Sequence, residues 1–586
     1  MAFDETPLIP TPAPGPVDVD VAICGGGFAG LTLARQLRIE NPGVSVAVID
    51  KLTRPLPEAG FKVGESTVEL AAHYLRDKLD LAEMLDRSHY RKMGLRYFFQ
   101  APEGQRNDFS ARPEYGLSTF ATIPTHQIDR GVFEEELRGM IEADGVRLIE
   151  GARIDEIALG EGGAAHRIDY YHDAAGDARQ SLTARWVVDA SGRRRTLQRQ
   201  LGLSKQREAD HHAVWFRVEG IVNIDGAVPG QTGWHDRVPG GKRFHATTHL
   251  VDKGYWVWII PLATGHTSVG IVATKDYHPF EEVRSRELAL DWLGRHEPHF
   301  ARLLTEGDHE MIDFGAIRNY SHTSGQVFSG DRWACTGDAG VFSDPMYSPG
   351  ADLISFANCC ISWMVGQDME GRLTPAMAEE KSKFVISIGE LLTRSIQVNY
   401  HLLGQPATMA GKLFWDITAG WAVVQPLMYS GAFLDSDRHK AVRAAGRNFF
   451  FMSLQMNTLF TDWAKMSKGN VTFDFIDYFK IDAIREMRER NLVAGKPMDE
   501  LIADQHENMG LMEELAIALF RIAVADVCPE HLHRIEGRWL NATGVSLDPS
   551  TWEARGLFEP KSAPRDTARM EAQLREAFGM KMLEEV

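Results

Sequence analysis

Three glycines, Gly25, Gly27 and Gly30, follow a valine-rich run, VDVDVAIC, and open into LTLARQLR. Glycine at the first of these positions permits a tight turn. At the second it lets the main chain approach a pyrophosphate, and at the third it lets a helix pack closely on the preceding strand. The free amides of that helix N-terminus then face two phosphates. A second apolar run, VSVAVID, ends at Asp50, twenty residues past Gly30, where a carboxylate accepts hydrogen bonds from an adenosine ribose. The chemistry implied is capture of a dinucleotide, and the acid favours a free 2′-hydroxyl over a 2′-phosphate.

Those roles need particular elements behind them. Residues 17–24 read as a short strand buried on both faces, and Leu31, Ala34 and Leu37 recur at helical spacing. Two more short strands end in Gly/Asp turns: Trp186 to Val188, before Asp189-Ala190-Ser191-Gly192, and Trp333 to Thr336, before Gly337-Asp338-Ala339-Gly340. One nucleotide-binding sheet assembled from distant parts of the chain is therefore expected. No second glycine fingerprint follows a strand, and Gly160 to Gly163 read as a hairpin connection, so a tightly held NAD(P)H is not expected.

The 586 residues carry 63 Lys plus Arg against 81 Asp plus Glu, a net charge of -18 that repels nucleic acid and anionic lipid. Five cysteines without CxxC spacing indicate neither a disulfide framework nor a thiolate metal site and fit a reducing, cytoplasmic setting. His211, His212, His245, His249 and His266 lack convergence with an acid, so no metal is expected. The first seventeen residues hold five prolines and read as a loose arm. The longest apolar stretch, Ile417 to Phe433, is broken by Gln425-Pro426 and two glycines, which argues against a membrane span.

At the glycine turn and the Gly337-Asp338 pair the chain resembles the FAD-dependent oxygenases of the aromatic-hydroxylase superfamily. Gln127-x-x-Arg130, with Phe133 and Leu137, matches a third feature. The resemblance implies that Arg130 lies near the flavin and that Asp338 contacts the ribityl chain. A narrower resemblance, to the flavin-dependent halogenases, rests on Trp256-Val257-Trp258-Ile259-Ile260-Pro261, which matches WxWxIP. It implies that Trp256, Trp258 and Pro261 wall the flavin from a halide chamber; by pattern alone the segment is an apolar strand in a core. Phe61 to Ser66, FKVGES, resembles the halogenase loop that covers the flavin, placing Gly64, Glu65 and Ser66 there. Arg91-Lys92-Met93-Gly94, after a helix ending in LDLAEMLDRS, resembles the segment with the halogenation lysine. Lys92 is the implied reactive amine, with Lys62 and Arg91 as rivals, and burial lowers a lysine pKa towards free amine.

Asp344 to Gly350, DPMYSPG, lies where halogenases carry a loop whose amides are associated with halide, so Ser348 and Gly350 are the implied halide residues. Pro349 has no N–H and deletes one donor of that loop. Tyr347 stands where tryptophan-specific halogenases place a glutamate, and its high reference pKa disfavours the carboxylate's role. The expected substrate is therefore a phenol, pyrrole or arylamine more than free tryptophan, with His126 or Tyr347 as its general base.

The fold class expected is α/β: an FAD-binding Rossmann-like domain of glutathione-reductase type with an inserted mixed β-sheet domain and a mainly helical C-terminal region. The boundaries read as an arm at 1–17, the FAD-binding domain at 18–200 and 326–370, the sheet domain at 201–325, and the helical domain at 371–586. The resemblance implies FADH2- and O2-dependent halogenation, by a flavin hydroperoxide, hypohalous acid and a lysine, with chloride or bromide, as in antibiotic biosynthesis and other secondary metabolism. It also implies a separate flavin reductase. The alternative is an FAD-dependent aromatic monooxygenase or oxidase without halide use. A substrate tethered to a carrier protein needs a basic patch, which Arg438, His439, Lys440, Arg443 and Arg447 can form, partly offset by Asp435 and Asp437.

Overall fold

The computed structural model describes residues 13–57, 62–101, 108–173, 176, 178–206 and 211–580. Most of the expected arm, residues 1–12, and Phe61 of the flavin loop lie outside the described residues. Strand Val19–Cys24 sits near the middle of a seven-stranded sheet, parallel to Val46–Ile49 on one side and to Arg179–Asp189 on the other. Arg147–Ile149 extends the parallel set beyond Val46–Ile49, and Trp333–Cys335 joins it against Arg179–Asp189. Its near-continuous apolar runs follow from cover on both faces. Val21, Ile23 and Val48 pack with Leu31, Leu37 and Phe356 of two helices, while Ala22, Cys24 and Ile49 pack on an antiparallel ribbon, Ala152–Ala158 with His166–His172. The Gly160 to Gly163 segment joins that ribbon as a hairpin connection, with positive φ at Gly162 and Gly163.

The second sheet has eight strands in the order Gly315–Arg318, His211–Glu219, His266–Thr274, Tyr255–Pro261, Thr247–Asp252, Leu95–Phe99, Glu114–Tyr115 and Phe475–Ile476. The span 201–325 supplies five of them, and the other three come from near residue 100 and from the helical region. Alternation along Tyr255–Pro261 sends Trp256, Trp258 and Ile260 to the face shared with the C-terminal helices, and Val257 and Ile259 to the opposite face, against Trp292 and Phe300. This makes the WxWxIP strand the floor between two layers.

The helical layer is built from Pro375–Asn399, Pro406–Ala419, Phe449–Met466 and Met498–Val527. Thr374 caps the first of these, accepting from the Met377 amide at 3.3 Å, with Pro375 at its first position. The aromatic-rich segments divide: Phe414, Trp415, Phe460 and Trp463 are buried, whereas Phe450 and Phe451 are exposed. Among the described residues no helix is long and apolar enough to cross a membrane.

Candidate FAD and halide site

The glycine turn is shaped by two contacts that a side chain would destroy. A Cβ on Gly25, whose φ is +129°, would sit 2.3 Å from the Ala190 carbonyl oxygen, and one on Gly30 would sit 2.0 Å from the Gly25 carbonyl oxygen. Gly27 differs, because its Cβ would meet only Glu134 Oε1, at 3.9 Å, and would otherwise fill open cavity. Asp50 is held by an ion pair to buried Arg138, which also donates to the Gly26 carbonyl at 2.9 Å and pairs with Glu150 at 2.7 Å. Arg138 and Arg130 share the helix Arg130–Ala143, capped by Asp129 through the Gly131 amide at 2.9 Å. Arg130 donates to the Val63 carbonyl at 2.9 Å and to Glu134 at 2.6 Å, and its guanidinium lies over the Phe28 ring.

Gly25, Gly27, Asp50, Gly64, Glu65, Ser66, Arg130 and Asp338 all line one cavity of about 820 Å³, together with Trp256, Trp258, Ser348 and Gly350. Burial pushes the Asp338 carboxyl up against the pull of His322, Arg193 and Arg130. Glu65 is pushed up by burial as well, although Arg217 faces it at 2.8 Å and Ser268 donates to it at 3.1 Å. The open space above Gly27, the acid at the end of the second strand and the cavity's size fit a dinucleotide.

At the far end three of the four halogenase-like segments meet on one hydroxyl. Lys92 Nζ donates to Ser66 Oγ at 2.6 Å and to the Thr67 carbonyl at 2.8 Å, and Ser348 Oγ reaches the same Ser66 oxygen at 2.9 Å. Ser66 also lies 2.9 Å from Thr247 Oγ1. Lys92 ends the short strand Tyr90–Lys92, opposite Thr125, and does not itself line the cavity; Ser66 stands between them. Burial pushes the Lys92 ammonium down to about 7, against the opposing charges of Glu69 and Asp352. Asp352 is pushed up to about 8 by burial, while its carboxylate accepts the Ala71 amide at 3.0 Å.

The DPMYSPG loop holds two consecutive left-handed residues, Tyr347 at φ 69° and Ser348 at φ 59°. Such a pair costs about 1–3 kcal/mol per residue and persists only where neighbours fix it. Tyr347 donates to Asp416 at 2.9 Å and accepts from Asn399 at 2.7 Å, and Ser348 is fixed by Ser66. Pro349 occupies the cap position of the helix Gly350–Met369, so its missing N–H is not one of that helix's first-turn amides. Gly350 and Ala351 carry those amides and line the cavity. The loop is also tied to the WxWxIP strand. The Trp256 indole donates to Tyr400 at 3.1 Å, and Tyr400 and Tyr320 donate to Asp344 at 2.7 and 2.6 Å. Trp258 lies so close over Gly270 that a Cβ there would come within 2.1 Å of its ring.

Three expectations are corrected. His126 does not line the cavity; its ring meets Asp86 at 3.0 Å, and burial pushes it down to about 4. Tyr347 is likewise outside the cavity wall, and burial beside Asp416 pushes its phenol well above its ordinary value, so it stays protonated and serves as a tether. Neither is placed as a base. Pro261 is buried but does not reach the cavity. The rivals of Lys92 are engaged elsewhere: Lys62 pairs with Glu134, and Arg91 donates to the Ala121 carbonyl at 2.6 Å. Sequence reasoning missed Arg138, Thr247, Tyr320 and Tyr400. Arg138 was open to detection, since it stands eight residues after Arg130 on one helix face; the others join through distant segments and leave no local signal.

The glycine turn, the acid after the second strand and the adjoining cavity suit a dinucleotide, and the comparisons identify it as FAD. A family model described as FAD binding domain matches residues 18–239. A flavin-dependent halogenase of Dictyostelium discoideum is 26% identical over 447 residues, covering 70% of each chain. The 1H-pyrrole-2-carbonyl peptidyl-carrier-protein brominase of Pseudoalteromonas luteoviolacea is 28% identical over 343 residues, 58% of this chain and 74% of that one. Among solved structures, halogenase PltM in complex with phloroglucinol and FAD superposes with a TM-score of 0.61 at 16% identity, covering 89% of this chain and 99% of that one. The chain carries an FAD-binding domain, and the curated enzymes it is similar to include several flavin-dependent halogenases.

Proposed function

We propose that the enzyme halogenates an electron-rich aromatic ring, a phenol, pyrrole or arylamine, at the expense of reduced FAD, oxygen and chloride or bromide. The balance is one aromatic C–H, one halide, one proton, FADH2 and O2 giving one aryl halide, FAD and two waters. Bound in reduced form, FAD supplies, with oxygen, the two-electron oxidation that turns halide into an electrophile. The chain's own residues do the rest. Gly25, Gly27, Gly30, Asp50 and Asp338 hold the cofactor, with Gly64, Glu65 and Arg130 beside it. Ser348 and the amides of Gly350 and Ala351 at a helix N-terminus suit a halide. Trp256 and Trp258 exclude water between that niche and the ring. Lys92 stands behind Ser66 and acts on the electrophilic halogen through that hydroxyl, which is the group that faces the cavity.

The single observation that carries this reading is the shared Ser66 oxygen, which links the halide loop to a buried amine held near neutrality. The reading extends to aromatic groups held on a carrier protein, since two relatives are named for pyrrolyl groups held that way, and to a separate reductase in the cytoplasm that supplies FADH2. Turnover of a phenol and a pyrrole panel with reduced FAD, with and without chloride or bromide, tests it. The expected product shows the isotope pattern of the added halogen and forms only with halide. A product heavier by one oxygen, formed equally without halide, identifies an aromatic monooxygenase instead.

A further inference from the structure

The mouth of the cavity carries a cationic rim that its walls do not neutralise. Arg153, Arg193, Arg194, Arg195 and Arg199 all line it, and four of them are exposed, Arg195 being half-buried. Among the described residues none of the five makes an ion pair. Arg153 lies over Tyr171 and Arg193 over Trp215, Arg194 donates to the Ile154 carbonyl at 3.3 Å, and Arg195 donates to Ser204 at 2.9 Å. Their acidic neighbours are Asp338, in the cavity wall, and Asp189, buried behind it, where its carboxylate accepts from the Ser191 and Leu197 amides. Arg195 has left-handed backbone, φ 49°, and its guanidinium is held below its usual range by burial and by Arg199. The cations deeper in the cavity are engaged: Arg130 and Lys62 with Glu134, and Arg138, just behind the glycine turn, with Asp50 and Glu150.

A cluster of like charges destabilises the fold unless an anion joins it, and here it stands on a chain of net charge -18 whose overall field repels anions. We infer that this rim captures reduced FAD from solution, drawing in its pyrophosphate by long-range attraction before the glycine turn and Asp50 seat it. The inference rests on the reading that reduced FAD reaches the enzyme from a separate reductase. Attraction of this kind raises association rates by about 10- to 1000-fold and is screened by salt.

The test is stopped-flow binding of chemically reduced FAD to the flavin-free full chain, without oxygen, halide, substrate or reductase, so its outcome does not depend on halogenation. Arg194→Gln/Arg199→Gln is compared with wild type and with Arg394→Gln, an exposed arginine in the helical layer. The double variant is expected to associate roughly tenfold more slowly at low salt, with a flatter salt dependence and dissociation within about twofold of wild type; Arg394→Gln should associate normally. Charge reversal, Arg194→Glu/Arg199→Glu, should deepen the loss. Unchanged association overturns the inference. So does a dissociation rate that rises as much as association falls, which marks contacts to seated cofactor.

Discussion

Lys92 and Ser348 converge on a single atom, the hydroxyl oxygen of Ser66, from 2.6 and 2.9 Å. A serine hydroxyl has one proton and two acceptor sites. With both acceptor sites used, its proton turns to Thr247. Any shift of the Ser348 loop therefore reaches Lys92 through two hydrogen bonds that share one oxygen.

Lys92→Met should remove carbon–halogen bond formation by about 100-fold or more, the usual scale for a positioned proton-transfer group. FAD affinity should stay within about twofold, because Ser66 separates Lys92 from the cavity. Lys92→Arg should not restore the rate, since a guanidinium stays charged where this amine sits near neutrality. Product mass spectrometry and flavin titration read the two effects separately, and a variant that still halogenates removes Lys92 from the chemistry.

Asp352→Asn should change how stability depends on pH. The Asp352 carboxyl is pushed up to about 8 in the folded chain, against about 4 when unfolded. Its contribution is present in full below about pH 4 and is lost as pH rises through 8, because over that window the unfolded chain binds fewer protons. The asparagine does not titrate, and Lys92 titrates in both proteins, so to first order its part cancels. The stability of the variant relative to wild type should widen in the variant's favour from pH 5 to pH 8.5 in thermal melts. A gap that stays constant would show that Asp352 is ionised in the fold throughout.

Gly27→Val and Gly30→Val should fail in different ways. The first points a side chain into open cavity, so the protein should fold with Tm near wild type and lose FAD binding. The second drives a Cβ into the Gly25 carbonyl at 2.0 Å, so it should lower Tm or prevent folding. Equal melting temperatures for the two variants would contradict the geometry of the turn.

Tyr347→Phe removes the hydroxyl that ties two left-handed residues to Asp416 and Asn399. The loss is about 1–3 kcal/mol of local restraint, since the partners stay buried. Steady-state turnover should show the halide KM rising several-fold with kcat changed less, and amide exchange across residues 343–350 should accelerate. Unaltered halide KM and exchange would show that the backbone holds its own conformation there.

The dinucleotide end was legible because its signals are local: Gly25, Gly27, Gly30 and Asp50 fall within one strand-turn-helix-strand stretch. The seven-stranded sheet followed, with Trp186 and Trp333 each placed on its strand. The second sheet was legible in its middle, where alternation is strong. Its Leu95–Phe99 strand was hidden, because LRYFF is buried throughout and has no period-two pattern to read. The polar ties of the site were the least visible. Trp256 meets Tyr400 across 144 positions, and Ser348 meets Ser66 across 282, so packing between layers decides them. His126 and Tyr347 misled because residue type suggests a base, while desolvation fixes the protonation each one keeps.

The route from the Trp256 indole through Tyr400 to Asp344 crosses from the floor strand into the C-terminal helices and back to the loop. Transplanting only the first two-thirds of this chain onto a foreign helical cap would thus leave Asp344 with one phenol in place of two. Hybrid enzymes built from such relatives must carry the end of Pro375–Asn399 and Tyr400 with the loop they serve.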